Sequence, residues 1–174
     1  RNHTTGCRNT YIGVNAGCGA SSATAKLNTA SGYSALRFIS SGSEDTAHGY
    51  DALYANTTGC RNTAVGMQAL KTNTTANDNT AVGACSLYAN TTGTTASGGY
   101  SLMTNTTASC NTAHGYGSLK LNTTGTQNTA SGIYSLRENT TGSYNTAVGR
   151  EALKLNTTGC HNTSVGRNSM ISNV

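Results

Sequence analysis

The side chains best able to do chemistry in this chain are few and far apart. Four His, six Cys and six acidic residues are spread over 174 positions. An acid–base or hydrolytic site needs such groups to converge, and only Glu44, Asp45 and Asp51 fall close enough in sequence to do so. No Ser stands in a G-x-S-x-G elbow, and the glycines recur instead of marking one phosphate-cradling loop. Cys110 with His114, and Cys160 with His161, are residue types that hold zinc. Neither spacing is a finger or a knuckle, and no second pair stands on a neighbouring repeat. The expectation is a non-enzymatic chain with no catalytic residue, no metal ligand and no cofactor.

Recognition chemistry is better represented. The net charge is +5. Lys71, Lys120, Arg137 and Lys154 each follow a Leu, while Arg150 and Arg167 sit elsewhere; Tyr33, Tyr50, Tyr100, Tyr116 and Tyr134 recur nearby. Their interleaving follows a repeat, not a nucleic-acid motif, so no nucleic-acid partner is expected. A basic stripe beside Tyr suits acidic glycan or a cell surface, with a solvated face as the plainer alternative. The word N-T-T is a glycosylation sequon at Asn56, Asn73, Asn90, Asn105, Asn122, Asn139 and Asn156. These would carry sugars in a eukaryotic secretory setting and are otherwise corner residues. Abundant Thr invites comparison with ice-binding surfaces, which use paired T-x-T ranks. Here Thr is followed by Ala, or by a second Thr facing the other way.

What must position these residues is a repeat. Thr, Asn, Ser and Gly make up 90 of the 174 residues, with no Pro, no Trp and one Phe. So little large apolar surface cannot build an ordinary core against the entropy of ordering. Apolar runs are too short for a membrane-spanning helix. Leu falls at 36, 53, 70, 87, 102, 119, 136 and 153, spaced by 17 residues except for one step of 15. Around each stands N-T-A-x-G-x-x-[AS]-L-x-x-N-T-T-G-x-x, starting at residues 28, 45, 62, 79, 94, 111, 128, 145 and 162, with a degenerate copy from residue 9.

The period is too short for a two-helix unit, and no i, i+3, i+4 apolar stripe exists. Two recurrent Gly positions supply turns, and Thr-rich stretches between them suit strands. The prediction is an all-β fold, a β-solenoid with one coil per 17-residue repeat, about ten coils, as a single domain over 1–174. At about 4.8 Å per coil the rod would be on the order of 48 Å long. Leu36, Leu53, Leu70, Leu87, Leu102, Leu119, Leu136 and Leu153 form the expected core ladder, with the third-place Ala beside them. Alternation turns the second-place Thr outward, and first- and twelfth-place Asn are placed to form amide ladders.

N-T-A-V-G at 62–66 and 145–149, with N-T-T-G further along each unit, resembles the NTAxGxxAL/NTTG repeats of phage tail-fibre-like proteins, many of which end in a self-cleaving chaperone domain. It is more distantly similar to the β-rolls of trimeric autotransporter adhesin heads. The resemblance implies a virion- or cell-surface fibre and a parallel trimer. It also implies a core position for the residue before the first Gly. Val65, Val82, Val148 and Val165 fit that pattern, whereas Ser31, His48, Ser97, His114 and Ser131 depart from it.

Six Cys without a C-x-x-C motif suit an oxidising, extracellular setting. Arg1 falls at the tenth place of the unit and Val174 at the thirteenth, so copies stacked head to tail would continue the coil. Cys7 and Cys160 would then lie about one coil apart, within reach of an intersubunit disulfide. The sequence therefore reads as a self-assembling structural subunit or shaft segment of an extracellular fibre, possessing an adhesive face as its further option. Its partner is another copy of itself, in a filament or a parallel trimer. The alternative is a solenoid that binds surface glycan or, less readily, ice through one side-chain rank.

Overall fold

The computed structural model describes residues 8–19 and 24–172. Ten three-residue strands follow one another: β1 (Thr10–Ile12), β2 (Thr29–Ser31), β3 (Thr46–His48), β4 (Thr63–Val65), β5 (Thr80–Val82), β6 (Thr95–Ser97), β7 (Thr112–His114), β8 (Thr129–Ser131), β9 (Thr146–Val148) and β10 (Thr163–Val165). They form one parallel sheet in sequence order. Register is in phase throughout, with Thr63 opposite Thr80, Ala64 opposite Ala81 and Val65 opposite Val82. The chain is a β-solenoid of about 9 turns at about 17 residues per turn. No helix among the described residues is long and apolar enough to cross a membrane.

Pairing between coils extends well beyond the strands. Numbering each unit from the first residue of N-T-A, the ninth-place Leu36 N–H donates to the eighth-place Ala52 carbonyl of the next coil at 3.0 Å. The seventh-place Asp51 N–H donates back to Tyr33 at 3.0 Å, and the thirteenth-place Thr57 N–H forward to Thr74 at 2.9 Å. Backbone groups buried away from water must be paired, and a coil stacked on its copy pairs them at nearly every second residue. The stack therefore does for this chain what a thick core does for others.

The interior is one Leu wide. All eight ladder Leu are completely buried, beside Ala30, Ala47, Ala64, Ala81, Ala96, Ala113, Ala130 and Ala147. Tyr11 packs against the same cluster at its amino-terminal end. Outward-facing Thr of the second place and the fourth-place residues share the opposite surface of the sheet. Val65 is 38% exposed and Val165 68% exposed. The core position that the family resemblance implies for this fourth place is thus overturned, because strand alternation puts it on the side opposite to Ala.

Asparagine fills the rest of the interior. Asn105, Asn122, Asn139 and Asn156 form a ladder in which each Nδ2 donates to the Oδ1 of the Asn one coil earlier, at 2.8–3.1 Å for Asn122, Asn139 and Asn156. The same Nδ2 reaches the fifteenth-place carbonyl of its own coil, as Asn122 does to Gly125 at 2.9 Å. First-place Asn form a second ladder: Asn128 Oδ1 accepts from the Asn145 N–H at 3.0 Å while its Nδ2 donates to the Gly142 carbonyl at 2.8 Å. That second bond joins the start of a coil to its last corner.

The fifth-place glycines turn as expected, with φ +140° at Gly32 and +132° at Gly49, but other corners are made by residues that are not glycine. Every ladder Leu has a left-handed backbone, φ 50° at Leu36 and 47° at Leu102, as do seventh-place residues such as Asp51 (53°) and seventeenth-place residues such as Arg61 (57°). A left-handed L-residue costs about 1–2 kcal/mol, and burying a Leu contributes about 1.5–3 kcal/mol. The ladder Leu therefore supports its own strained corner. Glycine is obligatory at the fifth place. Gly66 has φ +136° and a Cβ there would lie 2.6 Å from the Gly83 carbonyl oxygen of the next coil.

The 15-residue coil from Asn79 to Gly93 breaks the pattern. Asn90 turns its Nδ2 to Asn79 Oδ1 at 2.8 Å, leaving Asn73 Oδ1 without a partner. Thr94 takes the first place of the following unit, and its N–H donates to Asn79 Oδ1 at 2.9 Å.

Gly66→Ala is expected to lower thermal stability far more than the neutral exposed replacement Thr72→Ser. Paired unfolding curves of the two variants check this; equal midpoints would contradict the packed stack.

Candidate functional site

The groups singled out for chemistry do not meet. Asp45 lies in the interior at a first place. Glu44, its neighbour, is exposed, and Asp51 sits on another edge with Oδ2 3.0 Å from Lys71 Nζ. His114 stands on the outer sheet surface, whereas Cys110 belongs to a corner. His161 stacks on Tyr144 with centroids 4.8 Å apart, and Cys160 Sγ accepts the Ser143 N–H at 3.3 Å. Among the described residues no group of three or more His, Cys, Asp or Glu is placed to hold a metal ion. Cys60, Cys85, Cys110 and Cys160 are free thiols. Cys7, the other half of the expected crosslink, lies outside the described residues.

The seven sequon asparagines require a correction. Asn56, Asn73, Asn90, Asn105, Asn122, Asn139 and Asn156 are completely buried, and their Nδ2 groups are engaged in the inner ladder. A sugar on Nδ2 would replace a ladder hydrogen and require space the interior lacks. The folded coil cannot carry glycan at these positions; the amides are structural.

Asp45 places a carboxyl group in that interior. It replaces a first-place Asn and accepts three hydrogen bonds: from the Asn62 N–H at 2.8 Å, Asn62 Nδ2 at 3.1 Å and Asn56 Nδ2 at 2.9 Å. Burial raises its pKa from 3.8 to about 7, the bonds from Asn62 and Asn56 opposing the shift only in part.

Two surfaces are distinctive. The first is the sheet's outer side, where ten second-place Thr run in rank beside fourth-place Val, Ser, His and Ile. It carries no Lys, Arg, Asp or Glu. The second is an edge built by the sixth, seventh, tenth and eleventh places. From residue 94 to 172 every charged side chain stands there: Lys120, Arg137, Glu138, Arg150, Glu151, Lys154 and Arg167, five basic against two acidic. The solenoid concentrates on one line what the sequence distributes at intervals of 17.

On that edge the cations lie over rings. Lys120 Nζ is 5.5 Å from the Tyr100 centroid, the Arg137 guanidinium 5.3 Å from Tyr134, and Lys154 Nζ 6.0 Å from Tyr134. Tyr100, Tyr116 and Tyr134, on three successive coils, meet edge to face at 5.6 Å each. Arg137 pairs with Glu138 at 2.8 Å and Lys154 with Glu151 at 3.5 Å. Lys120 has no ion pair among the described residues. Further along, Lys71 lies 5.7 Å from Tyr54 and 6.0 Å from Tyr88, with Asp51 raising its pKa. Tyr33 and Tyr50 stack in parallel at 5.4 Å.

Scans of the chain against protein-family models, curated proteins and solved structures find no match.

The Asp45 carboxylate gives a signed expectation. The folded state holds a proton there that the unfolded chain releases near pH 4, so stability falls as pH rises from about 4 to 7 and then levels off. Asp45→Asn restores the amide ladder and should flatten this dependence while stabilising the protein at pH 8. Chemical unfolding at pH 4.5 and pH 8 measures it; parallel pH profiles for both proteins would contradict the buried carboxylate.

Proposed function

We propose that this chain is a structural element, a shaft segment or subunit of an extracellular fibre, whose output is rigid reach and not a reaction. The observation that carries the reading is the continuous backbone ladder from β1 to β10. Each coil is held by two neighbours and adds about 4.8 Å of length, so length comes with no larger core. Such quasi-one-dimensional repeats serve where reach matters and can be extended unit by unit. The His, Cys and acidic groups singled out as catalytic candidates do not converge, which favours a non-enzymatic role.

The proposed partner is another copy of the same chain, stacked end to end so that unpaired strand edges become the joint. A parallel trimer is the competing assembly, and the resemblance to surface fibres favours it. There the uncharged Thr surface offers the area to bury between chains. Placement on a virion or cell surface rests on that same resemblance.

Electron microscopy of the full chain, with sedimentation to give the mass, separates these outcomes. A shaft or filament unit should appear as rods one solenoid wide, at least about 43 Å long, or longer by whole multiples. A species of three chain masses and greater width would place the fibre in trimeric form. Compact particles of one chain mass without a rod axis would overturn the proposal.

A further inference from the structure

The edge formed by the carboxy-terminal five coils does more than keep the rod soluble. We infer that it is a binding strip for an acidic polysaccharide lying parallel to the solenoid axis. This goes beyond the fibre reading and holds whether the rod is a filament unit or part of a trimer.

Three observations carry it. First, charge is segregated: between residues 94 and 172 no charged side chain stands off this edge, and basic groups exceed acidic ones there by five to two. A merely solvated surface would distribute its charges over all the exposed places, including the second and fourth. Second, Lys120, Arg137 and Lys154 occupy the same place on three consecutive coils, so their backbone positions recur at about 4.8 Å along the rod. An extended pyranose chain advances by a similar step per sugar. Third, Tyr100, Tyr116 and Tyr134 form a continuous aromatic rank beside them, with Tyr116 47% exposed. Sugar rings pack their C–H faces on such rings, while the cations meet carboxylate or sulfate groups.

The strip is also pre-organised. Lys120, Arg137 and Lys154 are already held over aromatic rings by cation–π contact, on a backbone that the coil ladder fixes. Less side-chain freedom is then lost on binding.

A polysaccharide is favoured over single-stranded nucleic acid by two details. Edge-to-face rings with centroids 5.6 Å apart leave no slot in which a base can stack between successive Tyr. Glu138 and Glu151, set among the cations, would repel a backbone with one phosphate per residue, yet they accept hydrogen bonds from sugar hydroxyls. The ligand class is therefore a hydroxyl-rich chain with sparse negative charge.

The test is titration of the full chain with fluorescent hyaluronan, neutral dextran and oligothymidylate, read by anisotropy at low and at 0.5 M salt. Hyaluronan should bind and dextran should not, and the affinity should fall at high salt, where exposed charges are screened. The triple variant K120Q/R137Q/K154Q should bind at least about tenfold more weakly, and Tyr116→Ala should also weaken binding. Arg61→Gln, which alters a charge at a different corner of the coil, should leave it unchanged. If the triple variant fails to fold, Lys120→Gln, which breaks no ion pair among the described residues, should still weaken binding measurably. Three results would overturn the inference: hyaluronan does not bind, the Lys120, Arg137 and Lys154 variants bind it as the parent does, or oligothymidylate binds more tightly than hyaluronan. None of these alters the rods expected in the microscope, so this inference and the fibre reading fail separately.

Discussion

Everything in this molecule depends on the chain returning, every 17 residues, to a point directly above its previous turn. Only then do N–H and C=O groups of successive coils meet, and most coils have a span of one Leu, two Asn and a few Ala and Ser to accomplish it. The hydrophobic contribution per coil is small. Hydrogen bonds between backbone groups that exclude water replace it, and an unmade one costs more than a made one contributes. Closure of the coil is therefore the quantity the sequence must protect.

Protection takes two forms. First-place Asn ties the opening of a coil to its last corner, as Asn128 does to Gly142. The ladder Leu draws a left-handed corner into the axis, with φ near 50° at Leu36 and Leu53. Neither device is strong alone. Repetition makes them cooperative, since a coil that loses its shape also spoils the acceptors of both neighbours. Asp45 shows how tightly the interior is specified: one amide nitrogen exchanged for oxygen turns a neutral rung into a group whose charge the surroundings resist.

Much of this was legible in the sequence because period and residue size survive in linear form. The spacing of Leu36, Leu53 and Leu70 set the coil length, and alternation sorted Thr46 from Ala47. The left-handed Leu were not legible, because an isolated Leu avoids that conformation and only the stack enforces it. The amide ladder through Asn56 and Asn122 was legible from their twelfth-place recurrence, whereas the sequon pattern registers three residues and says nothing of their surroundings. The basic strip was legible in outline, because Lys120, Arg137 and Lys154 each follow a ladder Leu; coils of equal length make them neighbours, and the rings beneath them came only from the structure. Burial of the residue before the first Gly was misjudged by resemblance, where plain strand alternation placed Val65 and Val82 outside.

The shortened turn between Asn79 and Thr94 has a consequence for how such a monotonous polymer finds its correct alignment. Nearly interchangeable repeats invite slippage, in which one unit loops out and the remainder pairs out of phase at almost no cost. A single truncated rung is a fiducial mark. Asn79 offers its oxygen to both Asn90 and Thr94, and any frame-shifted assembly must fit a full-length rung into a gap two residues short. An apparent defect thereby lifts the degeneracy of an otherwise translationally symmetric chain.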